Sequence, residues 1–208
     1  MQIQIFQNEP IDSNCYVIYT KGYSSCIVID PGTNGSKELI EFLNSEKLIP
    51  DYIILTHEHF DHIWGVNALV NFADPIIIAS EFCANMIKDE KKNLSLFYDQ
   101  VGFVISKEVI SIESLQESLI WHDYEVRFFH TPGHSESSIS VIINYNLFSG
   151  DLMIKDLKTI TKLPTGDKNK LMVTLEHIFK NFSNKSMIVY PGHGDNFMLD
   201  DVHLNSFL

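Results

Sequence analysis

His57, His59, Asp61 and His62 place three imidazoles and a carboxylate within the six residues His57-Glu58-His59-Phe60-Asp61-His62. Imidazole nitrogens and carboxylate oxygens suit zinc, iron or manganese. On a loop leaving a strand, the alternate residues His57 and His59 can face one position while the adjacent pair Asp61 and His62 faces a neighbouring one. One such cluster can therefore divide its ligands between two ions. Nine histidines in 208 residues make a chance pair unremarkable, but three in six places beside an Asp form a much rarer pattern. Glu58 and Phe60 alternate with these ligands and are expected to point away, while Thr56 either supports a ligand or packs structurally.

Three later segments add potential ligands. Thr131-Pro132-Gly133-His134-Ser135, Ser149-Gly150-Asp151 and Tyr190-Pro191-Gly192-His193-Gly194 each follow an apolar run and carry a Gly immediately before a His or Asp. Glycine permits the sharp turn that aims the next side chain into a cleft. Each is a common turn sequence on its own, and the weight lies in their occurring together with the hexad.

The elements that must position these residues are strands ending at them. Alternation predicts strands at Gln2–Gln7 and Asn14–Thr20, and a third at Ser25–Asp30 that Pro31-Gly32 stops. Helical spacing follows Ser36 in Lys37–Leu43, and Asp51–Thr56 reads as a buried strand running directly into the hexad. A helix over Ile63–Phe72, a strand at Pro75–Ala79 and a helix over Glu81–Lys92 come next. Residues 93–114 read as an irregular flap whose Phe97, Tyr98 and Phe103 also suit core packing. The second half gives strands at Ser118–His122, Tyr124–Thr131, Ile139–Asn144, Leu147–Ser149 and Met187–Tyr190, with a helix over Asn169–Phe182. Ligands at the carboxyl ends of strands are where mixed α and β folds place functional residues.

The length of 208 residues and an apolar content of 45% fit a single domain over residues 1–208. Acidic residues outnumber basic ones 27 to 15 and the formal net charge is −12, so nucleic acid is not an expected partner. The start of the chain lacks the pattern of a secretory signal, no window reaches a membrane span, and the expected location is cytoplasmic. Cys15, Cys26 and Cys83 are odd in number and form no CxxC arrangement, which fits buried thiols in a reducing compartment.

Taken in order, HxHxDH, then His, Asp and His, the ligand set resembles that of the metallo-β-lactamase superfamily, over nearly the whole chain. The resemblance implies an α+β fold, a four-layer αββα sandwich with two metal ions in a cleft at one edge of the sheets. By motif, His57, His59 and His134 would hold the first ion, Asp61, His62 and His193 the second, and Asp151 would bridge them. Two divalent ions, zinc first and iron or manganese as alternatives, would provide a bridging hydroxide near neutrality and polarise a substrate carbonyl. Asp61 would add a catalytic role as proton acceptor when the tetrahedral intermediate collapses.

Within the superfamily, the Thr131-Pro132-Gly133-His134, Gly150-Asp151 and Pro191-Gly192-His193-Gly194 segments resemble small single-domain glyoxalase II-like proteins. That likeness implies hydrolysis of a thioester, or a related ester or lactone, of a small-molecule substrate. After Asp151 that group commonly carries Gly-Arg-Thr-Asp, whereas this chain has a different segment over residues 155–167, containing Lys158 and Lys162. These lysines either contact an acidic substrate or are simply solvated, the latter being the ordinary role. Phe60, Trp64, Phe97 and Tyr98 are candidates for an apolar acyl pocket or for core. The alternative from another reaction class is an iron-dependent persulfide dioxygenase, which the same resemblance would build on His57, His134 and Asp151.

Overall fold

β-Branched apolar runs become strands in the computed structural model, which describes residues 1–208. The chain divides into two units, Met1–Ala79 with Cys83–Ser111, and Ser80–Phe82 with Ile112–Leu208. Each unit carries one six-stranded sheet.

In the first unit, β1 (Gln2–Gln7), β2 (Asn14–Tyr19), β3 (Ser25–Ile29), β4 (Ile49–Ile54), β5 (Ile76–Ala79) and β6 (Val109–Ser111) lie side by side in chain order. The first two pairings are antiparallel and those from β3 to β6 are parallel. Parallel neighbours need crossovers. Helix α1 (Lys37–Glu46) supplies one, and α2 (Phe60–Ile63) with α3 (Val66–Ala73) supplies the next. Alternate strand residues Val17, Val28, Ile53 and Ile77 join Leu39 and Leu43 of α1 and Leu69 of α3 in one apolar cluster, a helical layer on one sheet face. The intervening residues Ile18, Ile27, Ile29, Ile54 and Ile78 are buried as well. Continuous apolar runs are what a sheet covered on both faces requires.

Three departures from the sequence expectation have local causes. The helix expected over Ile63–Phe72 is broken at Gly65, whose amide donates to the Pro31 carbonyl at 2.7 Å. A Cβ there would fall on the Ser36 hydroxyl and lie 2.7 Å from the Thr33 carbonyl, so the break is where the chain docks on the loop after β3. The helix expected over Glu81–Lys92 ends at Met86, as α4 (Glu81–Met86). Beyond it Asp89 accepts from the Lys91 amide at 2.9 Å, a side-chain turn that competes with helix. The expected irregular flap contains a short α5 (Ser95–Asp99) and then β6, whose three residues pair with Ile77 to Ala79.

In the second unit, β7 (Ser118–Trp121), β8 (Tyr124–His130), β9 (Ile139–Ile143) and β10 (Asn146–Gly150) form an antiparallel meander. β11 (Ile188–Pro191) joins β10 in parallel, and the two-residue β12 (Phe197–Met198), absent from the sequence reading, closes the far edge. The parallel pair is connected through α6 (Lys168–Phe182). The Asp167 carboxylate caps this helix, accepting from the amides of Asn169 at 2.7 Å and Lys170 at 3.1 Å. Leu171, Leu175, Ile178 and Phe182 bury its apolar stripe against Ile142, Leu147 and Val189. No helix of the chain is long and apolar enough to cross a membrane.

Candidate metal centre

β4 ends at Ile54, and Leu55 stays on the sheet by donating to Ile78 at 2.9 Å. The chain then turns through Thr56 into the hexad, so His57 and His59 leave directly from a central strand. Their ring centroids are 4.6 Å apart, and those of His57 and His62 are 4.2 Å apart. The hexad thus gathers its imidazoles instead of spreading them into solvent. Asp61 and His62 lie in α2, with 3.6 Å between Asp61 Oδ2 and His62 Nε2. As expected, Glu58 and Phe60 diverge from this group. Phe60 stacks on Tyr98 at 4.7 Å, and Glu58 is buried close enough to Cys83 to help raise its thiol pKa.

Asp30, the residue after β3, organises this cluster. Its Oδ1 accepts from the Thr56 amide at 2.8 Å and its Oδ2 from the Thr56 hydroxyl at 2.6 Å. The same Oδ2 lies 3.0 Å from His62 Nδ1. With the Thr56 hydroxyl proton committed to Asp30, its oxygen accepts from His57 Nδ1, 3.0 Å away. Both rings are thereby held with the proton on Nδ1 and the lone pair on Nε2, the form that binds a metal. Asp30, His57 and His62 also offer ligand atoms within 4.8 Å of one another. Three donors occupy the Asp30 carboxylate, however, which makes it a brace and not a ligand.

The backbone of Asp30 is in the left-handed region (φ 52°), a conformation Asp tolerates better than most residues. It is fixed there by its own amide, which donates to Ile54 at 3.1 Å, and by Asn8 Nδ2, which donates to its carbonyl at 3.1 Å. Asn8 is buried and also donates to the Ser13 hydroxyl at 2.9 Å, while its Oδ1 accepts from the Thr33 amide at 3.0 Å. Ser13 in turn donates to the Asp61 carbonyl at 2.5 Å. Gly32 lies against this carbonyl, and an added Cβ would fall on its oxygen and 2.7 Å from Asn8 Nδ2. The N-terminal hairpin and the loop after β3 thus clamp the second half of the hexad.

The second unit brings together the other three expected ligands. Phe148 pairs with Tyr190 across β10 and β11, their rings stack at 5.0 Å, and the Gly192 amide donates to Gly150 at 2.8 Å. Two parallel strands therefore end in step and deliver Asp151 and His193 side by side. Asp151 Oδ2 is 3.5 Å from His193 Nε2 and 3.6 Å from His134 Nε2. His134 Nδ1 is 2.8 Å from the Ile160 carbonyl, which again leaves the lone pair on Nε2. Gly133 lets this loop approach α6, where a Cβ would sit 2.6 Å from Leu171 Cα. Lys158 and Lys162 are exposed, and Lys158 Nζ donates to the Leu208 carbonyl at 3.1 Å, in keeping with a surface role.

The donor set fits metal ions. Two ligands about 2.0–2.1 Å from one ion at the tetrahedral angle lie about 3.4 Å apart. The separations of 3.5–3.6 Å between Asp61 and His62, and from Asp151 to His134 and His193, are close to that value and too long for hydrogen bonds. One Asp151 oxygen almost equidistant from two imidazoles suits a carboxylate shared by two ions. The thiols take no part. All three are buried, which pushes Cys26 up to about 12 with help from Asp51 and raises Cys15 and Cys83 well above the ordinary range. They are neutral and inert at physiological pH.

Sequence reasoning missed Asp30, Asn8, Ser13 and Gly32. Asp30 had a signal, since it ends an apolar strand just before Pro31-Gly32, much as Asp151 ends one after Gly150. Asn8 and Ser13 had none, because their importance comes from a hairpin folding back onto a distant loop.

Comparison with known proteins places these features in a family. The model of the metallo-β-lactamase superfamily matches residues 8–193. A probable metallo-hydrolase of Methanocaldococcus jannaschii is 35% identical over 191 residues, covering 88% of each chain. One from Streptococcus pyogenes is 28% identical over 199 residues, covering 93% of this chain and 84% of the relative. Among solved structures, the BLEG-1 B3 metallo-β-lactamase superposes with a TM-score of 0.87 at 28% identity, over 95% of this chain and 94% of that one. TTHA1623, solved in a di-iron-bound form, gives 0.80 at 25% identity over 94% of each chain. The two mixed sheets and their helices are the metallo-β-lactamase fold.

Proposed function

The chain belongs to the metallo-β-lactamase superfamily, and from that premise we propose a metal-dependent hydrolase of the glyoxalase II-like kind, cleaving a thioester or a related ester or lactone. The observation that carries this reading is the shared proton order of three imidazoles. Nδ1 of His57, His62 and His134 is engaged by Thr56, Asp30 and Ile160 respectively, directing each Nε2 outward as a ligand atom. Core histidines have no reason to adopt one common tautomer in two separate sheets.

In this proposal the two half-sites act as one centre. His57, His59 and His134 would hold one ion and Asp61, His62 and His193 a second, with the Asp151 carboxylate available to both. The match of the family model across both units supports the assignment. Two divalent ions supply hydroxide near neutrality and a Lewis acid for the scissile carbonyl. The chain's part is to fix the ligands: Asp30 sets the proton on His62 and, through Thr56, on His57, while Ser13 and Gly32 hold the Asp61 backbone. Zinc is the first choice on ligand chemistry, and the di-iron form of a relative keeps iron beside it.

The oxygenase alternative needs only His57, His134 and Asp151. It leaves no task for the paired Asp61 and His62, or for His193 placed 3.5 Å from Asp151. Six first-sphere residues and a shared carboxylate favour the two-ion hydrolase.

Zinc- and iron-loaded enzyme assayed against thioesters, aryl esters and lactones tests the reading. Turnover of a thioester is expected, with loss of at least about 10³-fold on chelation and recovery on adding metal back. Oxygen uptake with a persulfide substrate and no hydrolysis of any panel member would contradict it.

A further inference from the structure

Residues 93–103 of the first unit form a closed flap with its own scaffold. Asn93 is buried, donates through Nδ2 to the Phe103 carbonyl at 2.8 Å and accepts at Oδ1 from the Ser95 amide at 2.9 Å. The Ser95 hydroxyl accepts from the Phe103 amide at 3.0 Å, which ties the two ends together. At the tip, Asp99 Oδ1 accepts from the Val101 amide at 2.9 Å and the Gly102 amide at 2.8 Å. These amides hold the Asp99 carboxyl below its usual pKa. Leu94 (φ 68°) and Gln100 (φ 65°) both occupy the left-handed region, a strain that persists only where surroundings determine it.

This braced loop presents apolar groups to water. Phe97 is 72% exposed, Val101 79% and Tyr98 46%. The sequence allowed these aromatics a core role, and for Phe97 the structure rules it out. An exposed cluster of large apolar side chains on a rigid frame marks a binding surface.

The flap is also continuous with the metal loop. Phe60, between His59 and Asp61, donates its amide to the Asn93 carbonyl at 2.9 Å and stacks its ring on Tyr98 at 4.7 Å. Trp64 lies edge-on to Phe60 at 5.6 Å and stacks on Phe103 at 5.5 Å. An unbroken aromatic ladder therefore runs from between two ligands to the exposed tip.

We propose that this flap is the acyl-binding wall of the enzyme, with Phe97, Tyr98 and Val101 selecting substrates whose acyl group is an extended apolar chain over short polar ones. The inference rests on the hydrolase reading and names its substrate class. Packing against Phe60, which sits between two of the hexad's candidate ligands, puts the flap next to the ligand loop and favours a substrate's tail over a second copy of the chain as its occupant. An acyl chain laid on this surface removes apolar area from water on both partners, and each added methylene strengthens binding.

The test is kcat/KM of metal-loaded enzyme for acetyl, butanoyl, hexanoyl and octanoyl thioesters of one thiol. A rise of about 10-fold or more from acetyl to octanoyl is expected. The double variant Phe97→Ala with Val101→Ala, both exposed positions, is expected to flatten that profile to within about 2-fold. Ile120→Ser, which removes a 71% exposed apolar side chain from the second unit, is expected to keep it. A flat profile in the wild type overturns the inference while leaving the hydrolase reading intact. If no thioester, ester or lactone is turned over, the hydrolase reading fails, and calorimetric titration with an S-octyl thioether then judges the flap alone. Binding lost in the double variant supports it, and equal binding overturns it. A wild-type dimer that the double variant makes monomeric, with the chain-length profile unchanged, overturns it in favour of a second copy.

Discussion

If the proposed two-ion hydrolase is right, Asp30→Asn is expected to lose the ion assigned to His62 and at least about 10³-fold in kcat/KM, although the substitution is isosteric. In the wild type, Asp30 Oδ2 accepts from both the Thr56 hydroxyl and His62 Nδ1. With Oδ1 still facing the Thr56 amide, the Asn side chain turns an NH2 toward those two donors. His62 relieves the clash by moving its proton to Nε2, which destroys the lone pair that binds metal. The Thr56 hydroxyl relieves it by turning round to accept, and His57 Nδ1 then loses its acceptor. Outer partners of metal ligands are worth about 10–100-fold in affinity, and a wrong imidazole tautomer alone cost about 10⁴-fold in kcat in the serine protease case. Metal content after dialysis, read beside turnover and a denaturation curve, checks this. A folded variant with full metal content and normal turnover would show that Asp30 does not set the tautomers. Thr56→Val separates the two branches: it is expected to weaken the His57 ion more than the His62 ion.

Gly32→Ala should be the more damaging change to the fold of the loop. The added methyl has nowhere to go, since its position coincides with the Asp61 carbonyl oxygen and lies 2.7 Å from Asn8 Nδ2. Both are backed by hydrogen bonds, from Ser13 to Asp61 and from Asn8 to Ser13 and Asp30. Relief requires α2 to shift away from the loop after β3, carrying Asp61 and His62 with it. A destabilisation of about 3 kcal/mol or more is expected from overpacking together with lost buried hydrogen bonds. Activity is expected to fall about 10²-fold at temperatures where the variant remains folded, because misplaced ligands misposition the reaction. Gly35→Ala, three residues on, meets no atom within 4 Å and serves as the control, at the cost of a left-handed backbone (φ 74°) only.

These two residues also show where sequence reading stops. The hexad, His134, Asp151 and His193 were legible as candidates because ligand types sit at strand ends with glycine turns beside them, a local pattern. Ten of the twelve strands were legible for the same reason, as apolar or alternating runs long enough to outweigh their neighbours. Asp30 was visible only as the end of a strand, because its role depends on Thr56 and His62 arriving from another strand and a helix. Gly32 read as half of a turn, since nothing local says that a carbonyl twenty-nine residues later fills the space of its missing side chain. The Gly65 break was hidden likewise, by an otherwise good helical pattern. β6 and β12 are too short to carry periodicity and exist because a neighbouring edge offers partners. Phe97 carried two meanings until its exposure decided between them.

The central proposal, that His57, His59 and His134 serve one ion and Asp61, His62 and His193 a second, is tested most directly by metal stoichiometry. Purified chain is stripped, reloaded separately with zinc and iron, and measured beside His134→Ala and His193→Ala. Two ions per chain are predicted for the wild type and one for each variant, because each removes a ligand of a different ion. A wild type holding a single ion, retained in full by the His193→Ala variant, would contradict the account.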